Sequence, residues 1–187
     1  MPHHNENAER IASSPTAQPL AKPAADYYRR NLPHFQGGWG PLYITFRTKN
    51  HWVLPEAVRA TVLKHCIHDH ERKMHLFCAI VMPDHVHLIY QPLSDNTGQP
   101  YSLQEIVGAI KSTSAHSINK RLKRKVPVWQ DESFDHVIRS HESVADKVEY
   151  IKQNAVRRKL CRQPEDYPWL WVDVGAQPRA TVPHNCK

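Results

Sequence analysis

The period of the apolar positions changes along the middle of the chain, and these changes predict a series of strands and helices. Residues 42–47 alternate between apolar and polar, which predicts a half-buried strand. A helix is predicted over about residues 55–72, with Pro55 in its first turn, where proline is well tolerated. Residues 76–82 are continuously apolar, as expected of a strand covered on both faces, and a tight Pro-Asp connection leads into a strand at residues 85–90.

The second half of the chain predicts a helix, a strand and a last helix. Ser102 and Glu105 form a capping-box pattern that opens a helix, whose apolar stripe runs to Leu122. A strand at about residues 134–139 and a helix at about residues 143–160 follow. Strand, helix, strand, strand, helix, strand is the order of a ferredoxin-like sandwich. We therefore predict an α+β fold, βαββαβ, with an added C-terminal helix that carries Tyr150.

The predicted sandwich assigns the side chains of residues 85–90 to two faces. Alternate side chains of a strand point to opposite faces, so Val86, Leu88 and Tyr90 would face the two main helices. His85 and His87 would then lie together on the other face. The added C-terminal helix is the element expected to cover that face, which would bring Tyr150 towards the two histidines.

Length and composition indicate one soluble domain with tails. Of the 187 residues, we expect 1–26 to be a disordered tail, 27–160 to be the domain and 161–187 to be a C-terminal tail. No apolar run approaches the roughly 18 residues that cross a bilayer, and the N-terminus lacks a signal-peptide pattern, so no membrane partner and a cytoplasmic location are expected. The four cysteines are scattered, which argues against a zinc ribbon or a disulfide framework.

The net charge of +7 favours a polyanion such as nucleic acid as partner. Basic residues cluster at 120–125 and 157–159, and at 27–30 two tyrosines precede two arginines, a combination that suits stacked bases and a phosphate backbone. A merely soluble basic protein is the plain alternative. The candidate DNA-binding residues are Arg29, Arg30, Lys111, Lys120, Arg121, Lys123, Arg124 and Arg157.

His85 and His87 are a candidate metal pair because residues two apart on a strand share a face. The spacing alone is weak support, since the chain has 14 histidines and His68 and His70 have the same spacing. A half-exposed polar face is the simpler explanation of such a pair. The setting in a predicted core strand favours the metal, because buried imidazoles need partners.

Tyr150 does not lie on the apolar stripe of its predicted helix. At 100° per residue, the stripe contains Val144, Val148, Ile151 and Ala155, whereas Tyr150, Asn154 and Arg157 share another face. A phenol, with a pKa of about 10, is a poor nucleophile unless its target is activated. A metal held by two imidazoles would activate a phosphodiester.

The predicted metal ligands are therefore His85, His87 and the side-chain carbonyl of Asn154, with Gln153 as the competing oxygen donor. Such a neutral and open site, which includes an oxygen donor, suits Mg²⁺ or Mn²⁺ better than a closed zinc site. Tyr150 is the predicted nucleophile.

These residues resemble the single-tyrosine, His-hydrophobic-His (HUH) transposases, and specifically the REP-associated tyrosine transposases of bacteria. The similarity runs from about Arg29 to Trp171 and is carried by the segments 42–47, 81–88, 129–132, 137–139 and 149–157. It implies metal on His85 and His87, Tyr150 as nucleophile and Asn154 as a further ligand. Asp84 and Ala155 stand where the family more often has Asn and Pro, and Asp84 adds a negative charge beside the metal.

The resemblance implies cleavage and joining of single-stranded DNA at hairpin-forming repetitive extragenic palindromes. The tyrosine would become linked to the 5′ phosphate and release a 3′ hydroxyl, with no nucleotide cofactor. The main rival is a non-catalytic ferredoxin-like protein that binds structured nucleic acid through the same basic residues. A metal-dependent phosphoesterase that uses a bound water, and forms no covalent intermediate, is a weaker rival.

Overall fold

In the part of the chain that the structure describes, five strands pair into one antiparallel sheet in the order β4-β1-β3-β2-β5. The structure is a computed structural model that describes residues 40–139, 142–173 and 175. The predicted disordered tail, Arg29 and Arg30 lie outside these residues. The strands are β1 (Leu42–Thr48), β2 (Met74–Val81), β3 (His85–Pro92), β4 (Trp129–Val137) and β5 (Leu170–Val172).

Within the described ranges, three α-helices accompany the sheet: α1 (Glu56–Ile67), α2 (Ala109–Arg121) and α3 (Val144–Arg157). The predicted capping box is present, because Ser102 N donates to Glu105 Oε2 at 2.8 Å and Glu105 N donates to Ser102 Oγ at 3.2 Å. The turn that follows, Gln104–Gly108, is a π-helix that continues into α2. Ser143 caps α3 by accepting a hydrogen bond from Asp146 N.

The sheet has a helical layer on each face, and the side chains of β3 divide between them. Val86, Leu88 and Tyr90 are fully buried in a core with the apolar sides of α1 and α2. Ile89 packs on the other face with Ile151 and other apolar residues of α3. The α+β class and the βαββαβ order are confirmed, as is the separation of the apolar β3 residues from the histidine face. Among the described residues, no helix is long and apolar enough to cross a membrane.

The segment after α3 departs from the sequence-based boundaries. The helix ends at Arg157 rather than near residue 160, and residues 170–172 of the predicted C-terminal tail pair with β2 as strand β5. The tail is held to the sheet because Tyr167 Oη, which is buried, donates to Val81 O at 2.9 Å. This part of the predicted tail therefore belongs to the sheet.

Strand β4 is longer than predicted. It begins at Trp129 rather than near residue 134, and Trp129 pairs with Thr48 across an irregularity in the register. The ring of Trp129 is buried edge-on against Phe46, and its Nε1 donates to Ser114 Oγ at 3.0 Å. Burial of this one aromatic residue explains why a polar segment without clear alternation is drawn into the sheet.

Candidate functional site

The two histidines begin β3 and lie side by side on the α3 face of the sheet. His85 pairs with Arg47 and His87 pairs with Thr45 of β1, and the centroids of the two imidazole rings are 4.7 Å apart. His85 is 4% exposed and His87 is 9% exposed. A half-exposed polar face, the simple alternative for this spacing, does not fit such burial.

His85 is oriented by Asp84. The Nδ1 atom of His85 lies 2.7 Å from Asp84 Oδ1. Arg158 Nη1 lies 3.2 Å from the same oxygen, and Arg47 Nη1 lies 3.9 Å from Oδ2. Burial would raise the pKa of the Asp84 carboxyl, but the hydrogen bond with His85 and the charge of Arg158 bring the pKa below its ordinary value. Because an ionised carboxylate only accepts, Nδ1 of His85 carries the proton.

His87 is held by two hydroxyl groups from β1. Its Nδ1 lies 2.7 Å from Thr45 Oγ1 and 3.0 Å from Tyr43 Oη, and the Tyr43 ring stacks on the imidazole with centroids 5.6 Å apart. Burial, together with the charges of His85 and Arg47, lowers the pKa of His87 to about 3. Burial also lowers the pKa of His85, although Asp84 opposes this shift. Both imidazoles are therefore neutral near pH 7.

The donor atoms of this pair fit a divalent metal ion. In the described part of the chain, the hydrogen bonds of both histidines run through Nδ1. Nδ1 of His85 is protonated, and the hydroxyl partners of His87 allow it the same tautomer, so each Nε2 can offer its lone pair. A histidine ligand typically donates its other ring N–H to a carboxylate or another oxygen, as His85 does to Asp84 here and as Thr45 allows for His87.

Tyr150 lies on the exposed side of α3 and is covered by Arg157. The tyrosine is 55% exposed, and the guanidinium carbon of Arg157 is 4.2 Å from the ring centroid. Burial raises the pKa of Tyr43, a hydrogen bond from Thr45 opposes that shift, and the charge of nearby Tyr150 adds to it. Tyr43 also packs against the apolar residues under α3, so it lies on the same face of the sheet as His87.

Asn154 lies one turn after Tyr150, but another residue holds its side-chain oxygen. Arg157 Nη2 donates to Asn154 Oδ1 at 2.6 Å and to the backbone oxygen of Tyr150 at 2.8 Å. The Asn154 Nδ2 atom is buried without a hydrogen-bond partner. Gln153, the competing ligand, donates to Glu149 Oε1 at 3.0 Å instead. Asn154 thus lies one helical turn from Tyr150, with its side-chain oxygen bound to a guanidinium.

The basic residues predicted to contact DNA are divided between the two layers. Arg157 is at the site, whereas Lys111 donates from α2 to Asp131 O at 2.9 Å, and burial lowers its pKa. The stretch containing Lys120, Arg121, Lys123 and Arg124 ends α2 and enters the loop that leads to β4, on the layer opposite α3. Arg124 stacks over the ring of Trp52 at 3.7 Å.

Another group of possible metal ligands lies around the start of β2, at the other end of the strand from Ile80, which pairs with His87. Among the described residues, His70, Glu71 and His75 form a group of three side chains whose possible ligand atoms all lie within 4.8 Å of one another. Leu76 N donates to His70 Nδ1 at 3.1 Å, so the neutral ring carries its proton on Nε2, the atom nearer Glu71. His70 is consequently not a metal ligand in this arrangement.

Sequence reasoning missed four residues around the histidines: Tyr43, Thr45, Arg47 and Arg158. The alternation of β1 places the first three on one face, opposite its core residues Leu42, Ile44 and Phe46. That signal was present in the sequence. To use this signal one needs the β1–β3 register, which pairs residues 38 to 48 positions apart in the sequence.

Comparison with known proteins gives a consistent result. Residues 43–154, more than half of the chain, match the family described as transposase IS200 like. A protein of Haemophilus influenzae named as a REP-associated tyrosine transposase is 24% identical over 99 residues, which are 48% of this chain and 53% of that protein. The chain therefore spans about half the length of this curated relative.

A solved structure of a REP-associated tyrosine transposase bound to a REP hairpin shares the fold. It superposes with a TM-score of 0.57 and 21% identity, over 71% of this chain and 76% of that chain. The family match begins at Tyr43 and ends at Asn154, so it includes the histidine pair and Tyr150. The resemblance inferred from the sequence is confirmed, and the chain belongs to the family of IS200-like transposases.

Proposed function

We propose that this transposase cleaves and rejoins single-stranded DNA beside a hairpin, with Tyr150 as nucleophile and a divalent metal ion on His85 and His87. The observation that carries the proposal is the neutral, buried imidazole pair. Both Nδ1 atoms are engaged and both Nε2 atoms are left to a ligand. The helix covering the same face exposes a tyrosine. The hairpin substrate is suggested by the structural relative bound to a REP hairpin.

The metal ion would be held by His85 and His87. Because the other proposed ligands, the Asn154 carbonyl and a phosphodiester oxygen, are oxygen atoms, Mg²⁺ or Mn²⁺ is the best candidate. When bound, it would polarise a phosphodiester oxygen and stabilise the charge that develops in the transition state. Asn154 is the proposed third ligand. Its oxygen would first have to be released by Arg157, which now binds it at 2.6 Å.

The covalent step conserves the number of phosphodiester bonds. Tyr150 Oη attacks the phosphorus and forms a tyrosine–5′-phosphate ester, while the bond from phosphorus to the 3′ oxygen breaks. The phenolic proton is lost to solvent, and the departing 3′ oxygen takes up a proton to become a hydroxyl. Attack by that hydroxyl, or by the 3′ hydroxyl of another strand, reverses the step and rejoins DNA.

Arg157 suits two roles in this scheme. Its guanidinium lies against the Tyr150 ring and can bind phosphate oxygens in a bidentate manner. A phosphate that takes up Arg157 would free Asn154 Oδ1 for the metal. Arg47 and Arg158, which flank Asp84, add positive charge beside the histidines.

The proposal is tested by incubating the protein with hairpin DNA that has a single-stranded flank, in the presence of Mg²⁺, and running a denaturing gel. Wild type should form a covalent adduct, and Tyr150→Phe should form none while binding DNA nearly as well, since only the phenolic oxygen is lost. Tyr101→Phe is the matched control, because Tyr101 lies against Lys73, away from the histidines, and should leave the adduct unchanged. Adduct formed by Tyr150→Phe would eliminate Tyr150 as nucleophile.

The same gel separates the rival functions. A non-catalytic DNA-binding protein would retain the DNA without cutting it. A phosphoesterase that uses water would release cleaved strands with no protein attached. The two rivals therefore predict different gels, and neither predicts a band of protein linked to DNA.

A further inference from the structure

Among the described residues, α3 covers only the β2–β3 half of its face of the sheet. Helix α3 packs on β2 and β3, where Ile151 and Ala155 are buried with Ile80 and Ile89. Strands β1 and β4 form the other half of the same face. There Phe134, near the middle of the edge strand β4, is 61% exposed.

Phe134 lies in the same cross-strand row as His87. It pairs with Thr45 of β1, and Thr45 pairs with His87 of β3. Neighbouring strands are about 4.8 Å apart, so Phe134 stands roughly 10 Å from His87 along the row. Directly opposed residues of a sheet share a face, so the phenyl ring is on the histidine side.

An aromatic chain links Phe134 to the site. The Phe134 ring meets Tyr43 edge to face, with centroids 6.3 Å apart, and Tyr43 stacks on His87 with centroids 5.6 Å apart. Tyr43 also hydrogen-bonds His87 Nδ1. The exposed ring is therefore continuous with the imidazole that is proposed to hold the metal.

The surroundings favour a nucleic acid as occupant. Arg47 lies on the same strand face as Tyr43 and Thr45, and its side chain is 44% exposed, as is 49% of the Arg158 side chain. The next residue of β4 on the same face is His136, which pairs with Tyr43, so Phe134 does not extend an apolar patch in that direction along β4. An isolated exposed ring on the same sheet face as an exposed arginine is a combination that proteins use to stack bases and follow a phosphate backbone.

We infer that Phe134 is a base-stacking residue for single-stranded DNA, which receives the nucleobase next to the phosphate held at the histidine pair. Tyr43 supports the ring from its edge. This inference rests on the proposed function, because it takes the phosphate to be bound beside His87. A span of roughly 10 Å is within reach of a nucleotide whose phosphate is at that pair.

The test compares four variants by DNA affinity and by the fluorescence of 2-aminopurine placed in turn at each nucleotide of the flank. Phe134→Ala and Phe134→Leu should weaken binding by roughly 5- to 150-fold, the factor equivalent to one stacked base. Phe134→Trp should retain both affinity and the quenching of 2-aminopurine at one position. Val137→Ala is the matched control, because Val137 pairs with the core residue Leu42 and so faces the other layer.

The result that supports the inference is loss of quenching at one nucleotide in the Ala and Leu variants, with Trp and the control unchanged. Equal binding and quenching by the Leu and Trp variants would overturn it, since leucine is apolar but cannot stack. A change in oligomeric state for Phe134→Ala, with quenching intact, would assign the ring to a contact between copies and also overturn it. The wild-type adduct assay reports separately on the proposed function.

Discussion

Burial of His87 makes the stability of the folded protein depend on pH in a predictable direction. The pKa of His87 is lowered from an ordinary 6.5 to about 3, first by burial and then by the charges of His85 and Arg47. Between these two values the unfolded chain binds a proton that the folded protein does not. The contribution of His87 to the free energy of unfolding is therefore fully present above about pH 6.5 and is lost as the pH is lowered towards 3.

The size of the effect follows from the two pKa values. At pH 5 the linkage relation gives a loss of about 2 kcal/mol relative to pH 7, from this histidine alone. His87→Asn removes the titrating group and keeps an N–H near the position of Nδ1, where Thr45 can accept it. The variant will be less stable at pH 7 because the side chain is smaller. When the pH is lowered from 7 to 5, its free energy of unfolding should fall by about 2 kcal/mol less than that of wild type.

The assay is urea unfolding at pH 7 and pH 5, with a chelator present so that metal binding adds no pH dependence of its own. The comparison is between the pH-induced changes in the free energy of unfolding, not between absolute stabilities. His68→Asn, which removes an exposed imidazole, supplies the baseline. Equal pH-induced losses for wild type and His87→Asn would mean that His87 becomes protonated in the folded protein, and the burial argument would be refuted.

Three other predictions concern metal, DNA and packing. His85→Ala should abolish metal-dependent cleavage, and Asn154→Ala should raise the metal concentration needed; a normal Mg²⁺ titration for either would remove that residue from the ligand set. Charge reversal at Lys120, Arg121, Lys123 and Arg124 should weaken the binding of all hairpins about equally. It should also flatten the slope of log K against log salt by about 0.7 per lost phosphate contact on a single strand. Loss of binding confined to one DNA sequence would contradict a backbone role. Ser114→Ala should lower the free energy of unfolding by about 1–3 kcal/mol, because the buried Nε1–H of Trp129 loses its hydrogen-bond acceptor. Unchanged denaturation would show that water replaces this hydrogen bond.

The elements that position the site were predictable because their signals are local. The period-two strand at residues 42–47, the apolar β2 and the capping box each depend on neighbouring residues. Alternation in β3 then separates the histidines from Val86 and Leu88 without any knowledge of tertiary structure. The amphipathic α3 likewise places Tyr150 off its buried stripe, and it is exposed in the structure.

The parts that were missed depend on contacts distant in sequence. Tyr43 was missed because nothing in the sequence shows that its hydroxyl group meets His87. Lys111 remains a predicted DNA-binding residue, but the sequence gives no sign that its ammonium group donates to the backbone of β4. Strand β5 was missed because three residues carry too short a pattern, and its place depends on pairing with β2.

The helix that carries Tyr150 is connected to opposite edges of the sheet, since β4 precedes it and β5 follows it. Such a helix can shift in place, but it cannot be exchanged with a second copy unless β5 leaves β2. The arrangement therefore predicts that one polypeptide supplies both the imidazoles and the phenol that act on a given DNA strand. Mixing Tyr150→Phe with His87→Ala should accordingly fail to restore the adduct, and recovery of half the wild-type yield would show that subunits trade their helices.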